Sequence, residues 1–225
     1  MFFGKDKAHV NEKKKLFMDK WECCDLGKVK EFLHMHIIQK WKDIHLDQHA
    51  YLDKVLECFS MTNAKSAPTP LPSNWIPQVA KDKVSPELLR SYQSIIGLLL
   101  YLMIGTCPDI AFALTKLAQF SANPSQEHFE WAKYFCWYLI GTKNYVLVFK
   151  HAPGEGLATY MDSDWASDPI TRQSVTSYYF TLAGGLITWW SRAHSTVAHS
   201  STEAEYTVAQ KNVPMFAWFK KISLV

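Results

Sequence analysis

Three carboxylates follow an apolar stretch in Tyr160-Met-Asp162-Ser-Asp164-Trp-Ala-Ser-Asp168, the segment of this chain best suited to chemistry. Strand alternation puts Asp162 on the face opposite Met161, and a carboxylate on a sheet face is costly unless it is solvated, hydrogen-bonded or bound to a cation. A second carboxylate converging from a neighbouring helix would complete a hard, oxygen-rich site of the kind Mg²⁺ takes. Glu203 and Glu205, in the first turns of the last helix, are the candidates. Ser200-X-X-Glu203 and Thr202-X-X-Glu205 both fit a capping box, and a carboxylate there also meets the positive end of the helix dipole. Capping explains one glutamate better than two, because residues two apart point to different sides of a helix. Taken alone, the aspartates read as turn and cap residues rather than as a metal site.

Other reactive types are scattered. His45 and His49 are four apart, and His34 and His36 would share one face of a strand, but no cysteine or acid cluster completes a zinc set. His194 and His199 read as surface residues. The five cysteines form no Cys-X-X-Cys pair, so reduced thiols in an intracellular protein are expected. Trp131, Tyr134, Phe135, Trp137 and Tyr138 could stack on bases, yet their helical spacing favours a core.

The elements that must hold these groups are legible in outline. Residues 8–20 read as a lysine-rich amphipathic helix with Val10, Leu16 and Phe17 as its apolar positions. Residues 32–38 read as a strand, 41–43 as a turn and 44–46 as the returning strand. A helix capped by Asp47 then buries Tyr51, Leu52, Val55, Leu56 and Phe59. Prolines at 68, 70, 72 and 77 make 60–85 a linker or an extended wrap. Ser85-Pro86-Glu87 opens a helix that Gly105 stops, and two more follow at 109–121 and 125–140. Strand candidates at 157–161, 174–182 and 186–190 precede the final helix, in which Pro214 predicts a kink or an early end. The expected layout is 1–60, a 61–86 linker, 87–144 helical, a 145–156 hinge and 157–225, in a mixed α/β (α+β) fold.

Composition narrows the function. With 48% apolar and 14% aromatic residues the chain has enough material for a core and is not disordered. Its 24 basic and 21 acidic residues give a net charge of +3, which excludes a polybasic binder; residues 157–225 hold five of each sign. The densest apolar run, 95–104, is too short to span a bilayer, so no membrane partner is expected. Nothing in the first residues resembles a secretion signal.

Nine segments resemble, in collinear order, the Pol polyproteins of copia-type retrotransposons. They are Asp25-Leu-Gly-Lys-Val-Lys-Glu-Phe-Leu33, Tyr92-Gln-Ser-Ile-Ile-Gly-Leu-Leu-Leu-Tyr-Leu102, Pro108-Asp-Ile-Ala-Phe-Ala113, Asn123-Pro-Ser-Gln-Glu-His128, Tyr138-Leu-Ile-Gly-Thr-Lys143, Tyr160-Met-Asp-Ser-Asp-Trp-Ala166, Ser174-Val-Thr-Ser-Tyr178, Gly184-Gly-Leu-Ile-Thr-Trp189 and Ser200-Ser-Thr-Glu-Ala-Glu-Tyr206. The resemblance implies the late palm hairpin and thumb-like helices of a reverse transcriptase, followed by an incomplete ribonuclease H-like sheet with one long helix. It implies an RNA–DNA hybrid as partner and Mg²⁺ as cofactor, with Asp162 and Glu205 as catalytic, metal-binding carboxylates. Asp164 and Glu203 match family positions without that role.

The same resemblance places the polymerase aspartate pair upstream of Met1 and a third ribonuclease H aspartate beyond the last helix. The expectation is therefore an incomplete site and a chain inactive alone, with a hybrid endonuclease or a non-catalytic nucleic-acid binder as alternatives. The binder would use Lys13, Lys14, Lys15, Lys28 and Lys30. An exposed sheet edge would favour self-association.

Overall fold

In a computed structural model the described residues are 6–62, 64–73, 75–80, 83–150, 155–168, 170–194 and 197–223. The chain divides into two units, Met1–Lys30 and Glu31–Val225.

The first unit is built on helix α1 (Lys7–Lys20), whose N-cap Asp6 accepts the Ala8 N–H at 2.9 Å. The amphipathic reading of α1 does not hold: none of its residues is buried, and Leu16 and Phe17 are exposed. Three apolar positions among five lysines make too narrow a stripe to close a core. Beyond the helix, Asp25 pairs with Lys14 and accepts the Gly27 N–H at 2.7 Å, and these two contacts hold its carboxyl below the usual carboxylate value.

The second unit begins with a four-stranded antiparallel sheet in the order β1 (Glu31–Phe32), β2 (Met35–Lys40), β3 (Asp43–Asp47), β4 (Leu147–Phe149). The strand expected over 32–38 is broken by a two-residue turn at Leu33 and His34, with φ of 52° and 57°. His34 and His36 therefore do not share a strand face. Strand β4 arrives from inside the segment expected to be a hinge and pairs with β3.

Helices α2 (His49–Cys58), α3 (Pro86–Gly105), α4 (Ala111–Ala118) and α5 (Gln126–Gly141) enclose the main core, with a 3₁₀ turn at Pro108–Ile110 ahead of α4. Ser85 caps α3 as its position before Pro86 requires, its Oγ accepting the Leu88 N–H. Asp47 caps α2 from one residue before the N-cap, its Oδ1 accepting the His49 N–H at 3.2 Å. Tyr92, Ile95, Ile96, Leu99, Leu102 and Met103 of α3 fall at three- and four-residue spacing and are buried against α2, α4 and α5. Each such side chain taken out of water contributes about 1.5–3 kcal/mol. Helix α3 is long and apolar enough by composition to cross a bilayer; here that face forms the centre of the core. The aromatics of α5 divide: Phe135 is fully buried, Trp131 and Tyr138 pack at the core margin, and Trp137 is 39% exposed. Burial pushes the Cys136 thiol up to about 12.

No helix or strand forms between α2 and α3 among the described residues. Of the two readings of 60–85, the wrap is the one observed. Met61 and Ala67 are buried, Ala67 donates to the Trp137 carbonyl, and Trp75 packs edge-on against Phe120.

A second sheet, β5 (Leu157–Asp164), β6 (Val175–Leu182) and β7 (Gly185–Ala193), is an antiparallel meander. Ala183 and Gly184, at φ of 49° and 73°, make its tight second turn. The Trp189 indole donates to the Met103 carbonyl at 2.9 Å, one of the carbonyls a helix end leaves unpaired, and Thr115 donates to the Ser191 carbonyl. Helix α6 (Ser201–Ser223) packs along β5. It passes through Pro214 rather than ending there, in the turn after the buried Asn212 amide donates to the Val208 carbonyl.

Gly185 lies where β7 meets β4: a Cβ there would stand 2.4 Å from the Phe149 ring. Gly185→Ala is expected to cost about 1–3 kcal/mol of stability, because the ring has to move for the methyl to fit. Urea unfolding checks this, and an unchanged midpoint contradicts the packing described.

Candidate metal-binding carboxylates

Asp162 is fixed by a complete ladder across the second sheet. It faces Ser177 of β6, which faces Ser191 of β7, and the Ser177 hydroxyl donates to that of Ser191 at 3.1 Å. Cross-strand partners share a face, so Asp162, Ser177 and Ser191 stand together, with the stacked Tyr160–Tyr179 pair beside them at 4.7 Å. Met161 takes the opposite face with Tyr178 and Trp190.

Asp162 lines an open cavity of about 380 Å³ that Asp109 also borders. In the sequence Asp109 marks only a helix start, since nothing local signals that it borders the same cavity as β5. Its Oδ2 accepts the Tyr138 hydroxyl at 2.8 Å. Burial, then this contact and the charge of Asp109, raise the Tyr138 pKa.

The structure separates the two glutamates. The Glu203 N–H donates to the Ser200 hydroxyl at 3.1 Å, the first half of a capping box, while its side chain reaches one residue past the cap to accept the His199 N–H at 2.7 Å. The Glu205 side chain, two residues on, is exposed and makes no hydrogen bond or ion pair among the described residues. Asp162 is likewise exposed and without such a partner. The elements carrying the two are joined where β5 ends: the Trp165 indole donates to the Ala198 carbonyl at 2.9 Å, just before α6.

Of the remaining carboxylates of the motif, Asp164, at the last position of β5, is exposed and without a side-chain partner among the described residues, as Asp162 is. Asp168 is 2% exposed and accepts the Ile170 and Thr171 N–H groups, each at 2.9 Å, with the Lys116 ammonium at 3.5 Å. Desolvation alone would raise its pKa, but the two N–H donors and Lys116 outweigh it and hold the carboxyl below its ordinary value. Asp168 is a turn residue that ties α4 to the β5–β6 connection.

His194, read as a surface residue, is 5% exposed; its ring meets the Thr176 hydroxyl and its N–H donates to the Ser174 carbonyl. The cause is the length of β7, which runs three residues beyond the expected strand and carries His194 under the sheet end. Among the described residues no three His, Cys, Asp or Glu side chains gather as a metal-binding group.

Comparison with known proteins bears on both halves of the chain. Residues 1–73 match the family model described as reverse transcriptase (RNA-dependent DNA polymerase). The chain is 35% identical over 229 residues to the retrovirus-related Pol polyprotein from transposon TNT 1-94 of Nicotiana tabacum, covering 98% of this chain and 17% of that protein. It is 34% identical over 176 residues to the Pol polyprotein from transposon RE1 of Arabidopsis thaliana, covering 78% of this chain and 12% of that one. An uncharacterized mitochondrial protein of Arabidopsis thaliana is 30% identical over 194 residues, 86% of this chain and 80% of its own length. The chain thus spans less than a fifth of the two polyproteins. No solved structure matches it.

Proposed function

Because the chain belongs to the reverse transcriptase-like, copia-type retrotransposon Pol polyprotein family, we propose that it is the stretch of such a polyprotein in which late reverse transcriptase elements lead into a ribonuclease H-like sheet, and that it engages an RNA–DNA hybrid. One observation carries the assignment of the site. Of the acidic groups around β5 and the start of α6, Glu203 and Asp168 are consumed by cap and turn, whereas the Asp162, Asp164 and Glu205 side chains have no partner among the described residues and stand on elements packed together; of the two aspartates, the family resemblance gives the metal role to Asp162.

The donor chemistry fits Mg²⁺, which is commonly held by one or two carboxylates with substrate phosphate and water completing its shell. When bound, such an ion supplies charge neutralisation at a phosphodiester and activation of a water. The chain's own contribution is positional. The β-ladder through Ser177 fixes Asp162, and the caps made by the Ser200 hydroxyl and the Glu203 carboxylate fix the helix turn that presents Glu205. With two carboxylates, cation binding depends on a substrate phosphate, so the chain by itself holds a hybrid without cutting it.

The test is fluorescence anisotropy with a labelled RNA–DNA hybrid at constant ionic strength, with Mg²⁺ titrated. Mg²⁺ is expected to tighten binding several-fold, and Asp162→Asn or Glu205→Gln to remove that gain. Glu203→Gln keeps the Mg²⁺ response, since its role is the cap. An identical Mg²⁺ response in all three variants overturns the assignment. Cleavage of the RNA strand that Asp162→Asn abolishes would favour the endonuclease reading instead.

A second proposal concerns the edge of β5, which pairs with β6 on one side and exposes Tyr160 and Met161. Edge pairing between two copies would make the chain self-associate. Sedimentation at rising concentration tests it, and a monomer throughout removes it.

A further inference from the structure

The face of the second sheet turned away from Asp162 carries a different chemistry. Tyr178 of β6 stands directly across from Trp190 of β7, and Thr176 directly across from Arg192. Residues two apart on a strand share a face, so an aromatic row and a cationic row lie side by side, about 7 Å apart along the strands. Both rows line an open groove of about 1160 Å³, closed on its other sides by α4, the β5–β6 connection and Asn212 and Met215 of α6.

The groove carries charge of one sign. The Arg192 guanidinium is exposed and makes no hydrogen bond or ion pair among the described residues. Asp168, the one carboxylate among the lining residues, is already matched by Lys116 and two backbone N–H groups. Arg192 therefore stands at the groove as an uncompensated positive charge. Trp190 is 40% exposed, so its ring is open to a planar partner. Burial raises the Tyr178 pKa above its ordinary value, which keeps that hydroxyl neutral and no obstacle to an anion.

We propose that this groove holds a short single-stranded stretch of nucleic acid, with bases stacked on Tyr178 and Trp190 and a phosphate on Arg192. Aromatic faces beside a cationic contact are the means by which proteins hold single strands without reading their sequence. Other ligands use only part of the surface. A simple anion leaves the aromatic row idle, and an uncharged apolar molecule leaves Arg192 unmatched. An extended peptide finds no strand to join, because β6 is the middle strand and its main-chain groups are taken by β5 and β7. A double helix keeps its bases stacked inside, away from the rings. The volume also exceeds the roughly 300–1,000 Å³ of a small-molecule pocket and suits a stretch of chain. The inference rests on the nucleic-acid reading of the family and adds to it a strand contact on the sheet face opposite Asp162.

The test is fluorescence anisotropy in EDTA, where the carboxylates hold no cation, with a labelled oligo(dT) octamer, an abasic octamer and a blunt DNA duplex. Oligo(dT) is expected to bind best, and the abasic oligomer and the duplex at least about 10-fold more weakly, since neither offers bases to stack. Arg192→Gln is expected to weaken oligo(dT) binding several-fold and to lower the slope of log affinity against log salt by about 0.7, the share of one phosphate on a single strand. Trp190→Leu keeps an apolar strand residue and should lose about 5-fold or more, with the salt slope unchanged and its thermal midpoint monitored. The unaltered protein gives an independent readout: oligo(dT) carrying 5-iodouracil should photocrosslink to Trp190 or Tyr178. Crosslinks confined to other residues, or equal binding of the abasic oligomer, or displacement of oligo(dT) by poly-glutamate of equal charge, overturns the proposal. The Mg²⁺ response of the hybrid should persist in Arg192→Gln. Absence of oligo(dT) binding beside an intact Mg²⁺ response strikes this inference alone, whereas oligo(dT) binding without any Mg²⁺ response strikes the carboxylate assignment alone.

Discussion

Asp168→Ala is expected to destabilise the second unit by about 3 kcal/mol, the scale seen when one partner of a buried pair is removed. Two losses combine. The Ile170 and Thr171 N–H groups lose their acceptor, and the Lys116 ammonium, 8% exposed, is left with the Phe112 ring 5.7 Å away as its remaining charge-stabilising neighbour among the contacts described. In urea the midpoint should fall by about 1 M. Asp168→Asn, which keeps an oxygen for the turn but no charge, should lose less. Lys116→Met should lose least, because the carboxylate retains its two backbone donors. If Asp168→Ala and Lys116→Met prove equally costly, the turn contributes nothing and the account fails. The pH dependence has a definite sign. The folded pKa lies below the ordinary 3.8, so this stabilisation is present above about 4 and is lost as pH falls from there through the folded value.

His128 should show the second large effect, and a pH dependence in a higher window. It is 1% exposed, stacks on Phe120 at 4.0 Å, and its Nδ1 accepts the Ser125 N–H at 2.9 Å in the capping box of α5. His128→Ala removes a ring from the core and a cap from the helix, for about 3 kcal/mol. His128→Gln keeps a standard capping-box acceptor and loses only the stack, so about half that cost is expected. Desolvation lowers the His128 pKa from its ordinary 6.5. The unfolded chain therefore takes up the proton first, and stability should decline as pH drops below 6.5, levelling off below the folded value. The same decline in His128→Gln would show that another group is responsible.

Local rules reached far into this chain. Ser85 before Pro86, the three- and four-residue spacing of α3, and the Ser200 hydroxyl that caps the Glu203 N–H all depend on neighbours within one turn, and each appears as its spacing requires. Long-range effects were beyond such rules. Nothing near Leu33 and His34 announces two consecutive left-handed residues, since neither is a glycine or asparagine. Strand β4 is three residues long and is stabilised by β3, a partner a hundred positions away. The proline-rich segment has no period to read, and its place on the bundle is set by contacts such as Ala67 with Trp137.

The carboxylates show where sequence and tertiary structure divide the work. The residues alone placed Asp162 at the exit of a strand, put the glutamates at the start of a helix, and indicated that capping accounts for one of them better than for both; β5 in fact runs on through Asp164. Only the folded chain decided that Glu203 is the cap, that Asp168 is consumed by a buried lysine and a turn, and that Asp109 borders the same cavity as Asp162. Capping chemistry acts over four residues and can be read in order along the chain. Burial and charge pairing act between segments the chain brings together from fifty or more positions apart, and no local pattern encodes them.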